Sequence, residues 1–256
     1  MSEELGFSHI WVGDSHLIWR EAYVNMAAIA LSTTKVKLGT GVTNPLTRHP
    51  SVLASAYATL EEYSPGRMIV GIGLGDSSVE TMGIKPSTLA NFENSLQQMR
   101  ELFAGKEAEL PTGKIHLLHP CKGKVPIYIA ASGPKMLELS GRIADGIIVL
   151  VGVADEYIAH AKEKIAAGAR AAGRKLEDIN LVLWVPCAVS DFRRDPQDLR
   201  LLPPHGPAGE PRRGDPRLAG RQVRHRRNGG SVPRADRAHQ KNRHPADRDH
   251  SLQLPR

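Results

Sequence analysis

Short runs of apolar, often β-branched residues alternate with longer amphipathic runs along the first three quarters of the chain. The short runs predict strands that are covered on both faces, because such strands are almost continuously hydrophobic. The longer runs carry apolar residues at helical spacing and predict helices. The predicted strands are residues 7–14, 35–44, 67–75, 125–132, 145–152 and 179–190, and the predicted helices are residues 20–33, 50–64, 88–105, 133–144 and 155–173.

This alternation predicts a parallel sheet with helices on both faces. Two architectures produce such a pattern: an open doubly wound sheet and a (β/α)8 barrel. Glycines and polar residues follow several of the predicted strands rather than the first one alone. The barrel is favoured because it places chemistry at the carboxyl ends of many strands. Residues 106–124 are predicted to be an irregular excursion between the third and fourth strands.

The last quarter of the chain has a different composition. Residues 191–256 contain 16 Lys and Arg against 8 Asp and Glu, whereas residues 1–190 contain 18 against 19. The formal net charge of +7 is therefore located in the last quarter. Only 14 of its 66 residues are apolar, and 9 of the 18 prolines lie there. Such a segment buries too little apolar surface to offset its ordering entropy, which predicts a disordered tail after a partial barrel in residues 1–190.

The remaining composition predicts a cytoplasmic protein. Cys121 and Cys187 lack metal-ligand spacing, so we expect reduced thiols and no metal site. No run of 18 apolar residues is present, and the acidic start "MSEELGF" does not resemble a signal peptide. We therefore expect no association with a membrane.

Polar residues follow the first two predicted strands. Asp14 and His16 come after the first, where they are candidates for catalysis, or for a helix cap beside a solvated histidine. "GTGVTN", residues 39–44, follows the second strand, and its glycines permit a flat ligand to approach the backbone closely. An ordinary turn is the alternative. Arg48 and His49 come next, and either meet an anionic group or face water.

Two further strand ends are candidates for binding phosphate. The third strand ends in "GIGLGDSS", where Gly75, Asp76 and Ser77 can present backbone N–H groups and a hydroxyl. This string lacks the third spaced glycine of a dinucleotide fingerprint. The fourth strand is followed by "AASGPKM", which places Ser132 and Gly133 at a helix N-terminus. That position suits a phosphate, although simple helix capping also explains it.

Three longer strings together resemble one known family. They are "GFSHIWVGDSH", "GTGVTNPLTRHPSVLASAYATLEEYSPGRMIVGIGLGD" and "VPIYIAASGPKMLELSGRIADG". Their order, spacing and wording resemble the luciferase-like superfamily of flavin- and F420-dependent oxidoreductases, and in particular the F420-dependent methylenetetrahydromethanopterin reductases. The resemblance runs from about residue 5 to residue 190. It implies a (β/α)8 TIM barrel and excludes the open sheet.

The resemblance also implies roles for single residues. The peptide bond Gly41–Val42 would be a non-prolyl cis bond in a bulge against the deazaflavin ring, and Thr43 and Asn44 would contact the ring or its side chain. The residues facing the phosphate-bearing tail of the cofactor would be Gly75, Asp76, Ser77, Ser132 and Gly133. Asp14 matches an aspartate near the ring and the substrate. His16 departs from the family pattern, in which the histidine directly follows the aspartate, because Ser15 intervenes.

By comparison with the family, the chain is expected to be incomplete at both ends. It begins within the family's first helix, so the first strand is absent, and no last strand is recognisable. About six of eight strands remain. Codons permitted for residues 234–254, read one base further on, give "GRIERIKKTGIPQIAITPYSF", which has an amphipathic helix, a glycine stop and an alternating strand. We therefore predict that the reading frame shifts near Ser190 and that residues 191–256 are out-of-frame translation.

The predicted function is hydride transfer between coenzyme F420 and an unknown small-molecule substrate, impaired if the barrel cannot close. An FMN-dependent monooxygenase is the alternative within the family, because the ring-binding residues overlap. A non-enzymatic remnant whose basic tail binds nucleic acid non-specifically is the alternative outside it. The tail carries no nucleic-acid-binding fold motif, so no specific nucleic-acid partner is expected. Family members often form homo-oligomers, which is a possibility for this chain too.

Overall fold

The computed structural model of the chain describes residues 2–187. The chain divides into two units, residues 1–190 and 191–256, and the described residues belong to the first. The predictions of a disordered tail, of nucleic-acid binding by that tail and of a shifted reading frame fall on residues outside the described part.

The described part alternates strands with helices, as predicted. The strands are β1 (His9–Val12), β2 (Lys37–Thr40), β3 (Met68–Ile72), β4 (Ala108–Leu110), β5 (Gly113–Ile115), β6 (Ile127–Ala131), β7 (Gly146–Val149) and β8 (Asn180–Leu183). The helices are α1 (Ala22–Ser32), α2 (Pro50–Tyr63), α3 (Ser77–Glu80), α4 (Leu89–Phe103), α5 (Pro134–Ile143) and α6 (Asp155–Ala171), followed by a short 3₁₀ helix at Leu176–Asp178.

Six strands form one parallel sheet in the order β1-β2-β3-β6-β7-β8. Apart from the β4–β5 hairpin, which lies outside this sheet, the spatial order follows the order in the chain. A doubly wound sheet would reverse its strand order at a switch point, and no reversal occurs among the described strands. The prediction of an incomplete (β/α)8 barrel is confirmed: the sheet curls into a half-barrel with six of the eight strands.

Strand β6 buries successive residues on two different faces of the sheet. Ile127 and Ile129 of β6 belong to the larger apolar cluster, between the sheet and its helices. Tyr128, which lies between them in sequence, belongs to a smaller cluster with Ile69 and Ile148. Because successive side chains of a strand point to opposite faces, this smaller cluster marks the concave inner face of the half-barrel.

Trp11 covers part of that inner face. It lies beside Gly39, its partner in the register between β1 and β2. A Cβ atom added to Gly39 would come within 2.5 Å of Trp11 Cζ3, so a side chain at position 39 would displace the indole. The absence of a side chain at Gly39 therefore leaves room for the Trp11 indole over position 39, and the indole contacts Tyr128, whose ring centroid is 5.9 Å away.

The excursion between the third and fourth predicted strands is more regular than predicted. Residues 106–124 contain the antiparallel hairpin β4–β5. It is attached to α4, because Ala108 is fully buried and the Gln98 amide donates a hydrogen bond to the Glu109 carbonyl at 2.8 Å. Each strand of the hairpin has three residues, too few for an alternating pattern to be recognised in the sequence. The helix α3 is similarly short and was not predicted.

None of the helices within residues 2–187 combines the length and the apolar character needed to cross a membrane.

Candidate functional site

The carboxyl ends of the first three strands are joined by backbone hydrogen bonds. The Gly41 N–H donates to the Val12 carbonyl at 2.8 Å, at the end of β1. The Thr43 N–H donates to the Gly71 carbonyl at 2.9 Å, and the Gly73 N–H donates to the Thr43 carbonyl at 2.9 Å. Residues 41–44 are thereby held between β1 and β3. The Gly41–Val42 peptide bond within this segment is cis, as the resemblance implied.

Asp14 is buried beside this segment. Only 4% of its side chain is exposed. The Thr43 hydroxyl donates to Asp14 Oδ2 at 2.7 Å, and Arg48 Nε lies 3.5 Å from the same oxygen. The structure thus brings together two predicted site residues, Asp14 and Thr43, and adds Arg48 to them.

Two tyrosines that were missed in the sequence, the partly buried Tyr23 and the fully buried Tyr57, bond to Thr43 and Thr40. The Tyr23 hydroxyl donates to Thr43 Oγ1 at 3.4 Å. The hydroxyls of Tyr57 and Thr40 are 2.8 Å apart, and Thr40 donates its own proton to the Gly71 carbonyl at 2.6 Å, so Tyr57 is the donor to Thr40. Burial raises the pKa of both phenols, that of Tyr23 well above its ordinary value. Both therefore remain neutral donors.

Tyr23 and Tyr57 occur within apolar helical stretches of the sequence, "AYVNMAAIA" and "ASAYATL". In such a context a tyrosine is normally interpreted as an aromatic core residue. The one available signal is that a buried phenol needs a hydrogen-bond partner, which points to a polar group on the strand that the helix covers.

Asn44 fixes the loop that follows β2. Its amide nitrogen donates to Ser78 Oγ at 3.0 Å, and its amide oxygen accepts from the N–H groups of Leu46 at 3.0 Å and Thr47 at 2.8 Å. His49 has a similar structural role, because its ring nitrogen Nδ1 accepts from the Ser51 N–H at 3.2 Å at the start of α2. Of the predicted alternatives, Arg48 meets anionic groups, which are the carboxylates of Asp14 and Glu21, whereas His49 caps a helix.

Arg48 connects Asp14 with the start of α1. Its Nη2 atom forms an ion pair with Glu21 Oε1, and its Cζ atom lies 4.6 Å from the centroid of the Tyr23 ring. The other Glu21 oxygen accepts from the Val24 N–H at 2.7 Å. Arg48 therefore joins two carboxylates, those of Asp14 after β1 and Glu21 before α1, to the loop that follows β2.

The predicted residues line two different cavities. The larger, of about 1090 Å³, has mostly apolar walls, and Gly41 and Val42 form part of its lining. All three tryptophans of the chain, Trp11, Trp19 and Trp184, also line it. The smaller cavity, of about 200 Å³, is lined by Asp14, His16, Thr47, Arg48 and Met82. Asp14 and His16 thus share a pocket although Ser15 separates them, and His16 is exposed.

The five residues predicted to face a phosphate follow β3 and β6, which are neighbours in the sheet. Asp76, Ser77, Ser132 and Gly133 are exposed, and Gly75 is partly buried with a φ of +99°. Gly133 precedes the first turn of α5, and no side chain caps that helix. These residues do not line either of the two cavities described above. Among the described residues, no group of three or more His, Cys, Asp or Glu side chains could hold a metal ion.

Comparison with known proteins gives a consistent result. The family model described as luciferase-like monooxygenase matches residues 1–250. The 5,10-methylenetetrahydromethanopterin reductase of Methanolobus tindarius is 35% identical over 190 residues, covering 72% of this chain and 58% of the relative. The F420-dependent glucose-6-phosphate dehydrogenase of Nakamurella multipartita is 32% identical over 220 residues, covering 78% and 65%. The chain therefore spans about three fifths of the length of these relatives.

Solved structures share the fold. The coenzyme F420-dependent tetrahydromethanopterin reductase from Methanopyrus kandleri superposes with a TM-score of 0.63 at 30% identity, covering 72% of this chain and 59% of that one. An F420-dependent secondary alcohol dehydrogenase in complex with an F420-acetone adduct gives 0.63 at 26% identity, covering 71% and 61%. The FMN-bound oxygenating constituent of 3,6-diketocamphane monooxygenase from Pseudomonas putida, at 19% identity and a TM-score of 0.57, shares the fold alone.

Proposed function

Because the chain belongs to the luciferase-like monooxygenase family, we propose that it is an oxidoreductase that transfers a hydride between coenzyme F420 and a small-molecule substrate. The observation that carries this proposal is the segment 41–44, clamped between β1 and β3 at the wall of the larger cavity. Relatives that are 30–35% identical over about three quarters of the chain are named as F420-dependent enzymes or as reductases of a pterin substrate.

The larger cavity fits a flat conjugated ring. At about 1090 Å³ it has room for a tricyclic ring and a substrate beside it, and its lining is chiefly apolar and aromatic. Gly41 and Val42 offer backbone and a small side chain to one face of such a ring. Reduced F420, when bound, supplies the hydride, while the protein provides orientation and exclusion of water.

The polar tail of the cofactor is assigned to the exposed strand ends. We place it against Gly75, Asp76 and Ser77 after β3 and against Ser132 and Gly133 after β6, where backbone N–H groups and hydroxyls are available for phosphate. Thr43 and Asn44 would support the ring by holding the segment 41–44 in shape, since their polar side-chain atoms are engaged with protein groups.

We propose that a substrate bound beside the ring extends toward the smaller cavity, where proton chemistry on it would take place. Asp14 and His16 both line the smaller cavity, and His16 is exposed. Asp14 is held in a fixed position by Thr43 and Arg48. His16 is therefore proposed as the proton donor or acceptor, and Asp14 as the group that orients the substrate.

A cofactor titration tests this proposal. We expect the purified chain to change the fluorescence of F420 on binding, and Val42→Trp to weaken F420 binding at least about tenfold, because the indole would occupy the ring position. Val52→Trp is the matched control, since Val52 is exposed on α2 and the same enlargement should leave the affinity unchanged.

The titration also separates the two family cofactors. The FMN-dependent alternative is supported by the fold shared with FMN-bound neighbours. If the chain binds FMN and does not bind F420, FMN replaces F420 as the proposed cofactor. Equal affinities of Val42→Trp and the unaltered chain for F420 would place the ring elsewhere and contradict the assignment of the cavity.

A further inference from the structure

Arg48 makes three contacts that converge on the candidate site. Its Nε atom lies 3.5 Å from Asp14 Oδ2, its Nη2 atom pairs with Glu21 Oε1, and its guanidinium carbon lies 4.6 Å from the centroid of the Tyr23 ring. The planar guanidinium can serve two carboxylates at once and stack on an aromatic ring, which a lysine cannot reproduce. The side chain is 27% exposed, so these contacts are only partly open to water.

The Glu21 side of this arrangement is anchored by a helix. Glu21 precedes the first residue of α1, and its second carboxylate oxygen accepts from the Val24 N–H at 2.7 Å. A carboxylate in this position is stabilised by the positive end of the helix dipole. The hydrogen bond from the Val24 N–H therefore holds the Glu21 carboxylate in place. The ion pair with Glu21 in turn orients the Arg48 guanidinium so that its Nε atom faces Asp14.

The buried Asp14 carboxylate is stabilised by the positive charge of Arg48. The carboxylate is almost completely buried, and a buried charge without an opposite charge or hydrogen bonds is strongly unfavourable. Asp14 Oδ2 meets the Thr43 hydroxyl at 2.7 Å as well as Arg48. Loss of the arginine would leave the carboxylate buried with one neutral donor, and rotation toward water would break its bond to Thr43.

We infer that Arg48 is a positioning residue: together with Glu21 it holds the Asp14 carboxylate against Thr43, and through Thr43 it holds the segment 41–44 at the cavity wall. The inference rests on the proposed function, because the segment 41–44 is the proposed wall of the cofactor site. It assigns to Arg48 a role exerted through Asp14, with no contact to the cofactor itself.

A double-mutant cycle tests the inference. We expect Arg48→Met, which keeps an unbranched side chain over Tyr23, to weaken F420 binding about tenfold, within the range of coupling seen between contacting charged residues. We expect Arg48→Met combined with Asp14→Asn to bind F420 more tightly than Arg48→Met alone, within about threefold of Asp14→Asn. The neutral amide introduced by Asp14→Asn can still accept from Thr43 and has no charge that requires a partner.

The matched control is Arg142→Met. Arg142 Nη2 pairs with both Glu93 oxygens, at 2.9 and 2.8 Å, on the surface between α5 and α4. Its removal should leave F420 affinity unchanged. A second variant, Arg48→Gln, guards against poor folding of Arg48→Met and should show the same weakening and the same rescue by Asp14→Asn.

The outcomes distinguish this inference from the proposed function. If the double variant binds F420 as weakly as Arg48→Met or more weakly, the inference is overturned and Arg48 acts independently of Asp14. If the unaltered chain binds neither F420 nor FMN, the proposed function fails. In that case the coupling is tested by urea unfolding of the unaltered chain, the two single variants and the double variant. An unfolding midpoint that is higher for the double variant than for Arg48→Met supports the coupling between Arg48 and Asp14. Changes in midpoint that are additive overturn it.

Discussion

At the scale of single residues, the candidate site is built from side chains that bond to one another. Thr43 accepts a hydrogen bond from Tyr23 and donates one to Asp14, so its hydroxyl is engaged in both directions. Asn44 bonds through both its amide nitrogen and its amide oxygen. These hydrogen bonds therefore hold the segment 41–44 in a fixed conformation. We expect a bound ring to pack against the surface of this segment and to form no hydrogen bonds with the side chains of Thr43 and Asn44.

A prediction at this scale concerns Tyr57, which is fully buried. Tyr57→Phe removes the donor to Thr40 and should lower the free energy of unfolding by about 1 kcal/mol, the usual net value of a buried hydrogen bond. Urea unfolding measures the change. Tyr63→Phe on the same helix is the control, because Tyr63 is exposed and should lose little. Equal changes in the two variants would contradict the role given to the Thr40 contact.

At the scale of secondary-structure elements, the carboxyl ends of the strands form the candidate site and the amino ends carry interactions that stabilise the fold. The carboxyl ends of β1, β2 and β3 lead into the candidate site, whereas a charged cluster ties elements together at the amino ends of β6 and β7. Asp145, just before β7, accepts from the Ile127 N–H at 3.0 Å. It also pairs with Arg100 of α4 at 3.3 Å and with Lys124 at 2.6 Å.

The acid dependence of stability follows from this cluster. Burial alone would raise the pKa of Asp145, but the Ile127 hydrogen bond and then Lys124 and Arg100 together lower it below its ordinary value of 3.8. A lowered pKa in the folded state means that the carboxylate stabilises the fold above pH 3.8, and this stabilisation is lost as the pH falls through the folded-state pKa.

We expect Asp145→Asn to cost about 1–2 kcal/mol of unfolding free energy at pH 7, and the difference from the unaltered chain to shrink below about pH 4. Urea unfolding across this pH range measures it. The control Glu107→Gln removes an exposed pair with Lys114 and should cost much less. A difference between Asp145→Asn and the unaltered chain that stays constant down to about pH 2 would contradict the assignment.

At the scale of the whole molecule, the described residues form six adjacent strands of an eight-stranded barrel architecture. Together with the comparisons, this shows that the described residues 2–187 form part of a luciferase-like barrel. We propose residue 190 as the border of that barrel on composition, although the family model itself matches residues 1–250.

The proposed shift of the reading frame near Ser190 is testable at the level of the gene. We expect the nucleotide sequence around codons 188–194 to place family-like residues in a neighbouring frame, because residues 234–254 permit such a reading. Sequencing the locus is the measurement. A single uninterrupted frame whose translation aligns with intact relatives through this region would refute the proposal.

Much of the fold could be predicted from the sequence. The six strands of the sheet and the five long helices were predicted because each lies within a hydrophobic pattern that is long enough to recognise. The strand ends were less accurate: β2 stops at Thr40 because the chain turns at Gly41 into the clamped segment. The hairpin β4–β5 was missed because its strands have three residues each and are stabilised by packing on α4.

The sequence by itself determined the alternation of elements, the barrel family and the strand ends at which chemistry would lie, since these depend on local periodicity and on motif wording. Only the tertiary structure decided that Arg48 meets Asp14 and Glu21, that Tyr23 bonds to Thr43 in the segment 41–44, and that Tyr57 bonds to Thr40 just before it. The physical reason is that such contacts join residues 17 to 34 positions apart, and their partners are chosen by the curvature of the sheet and the packing of helices upon it.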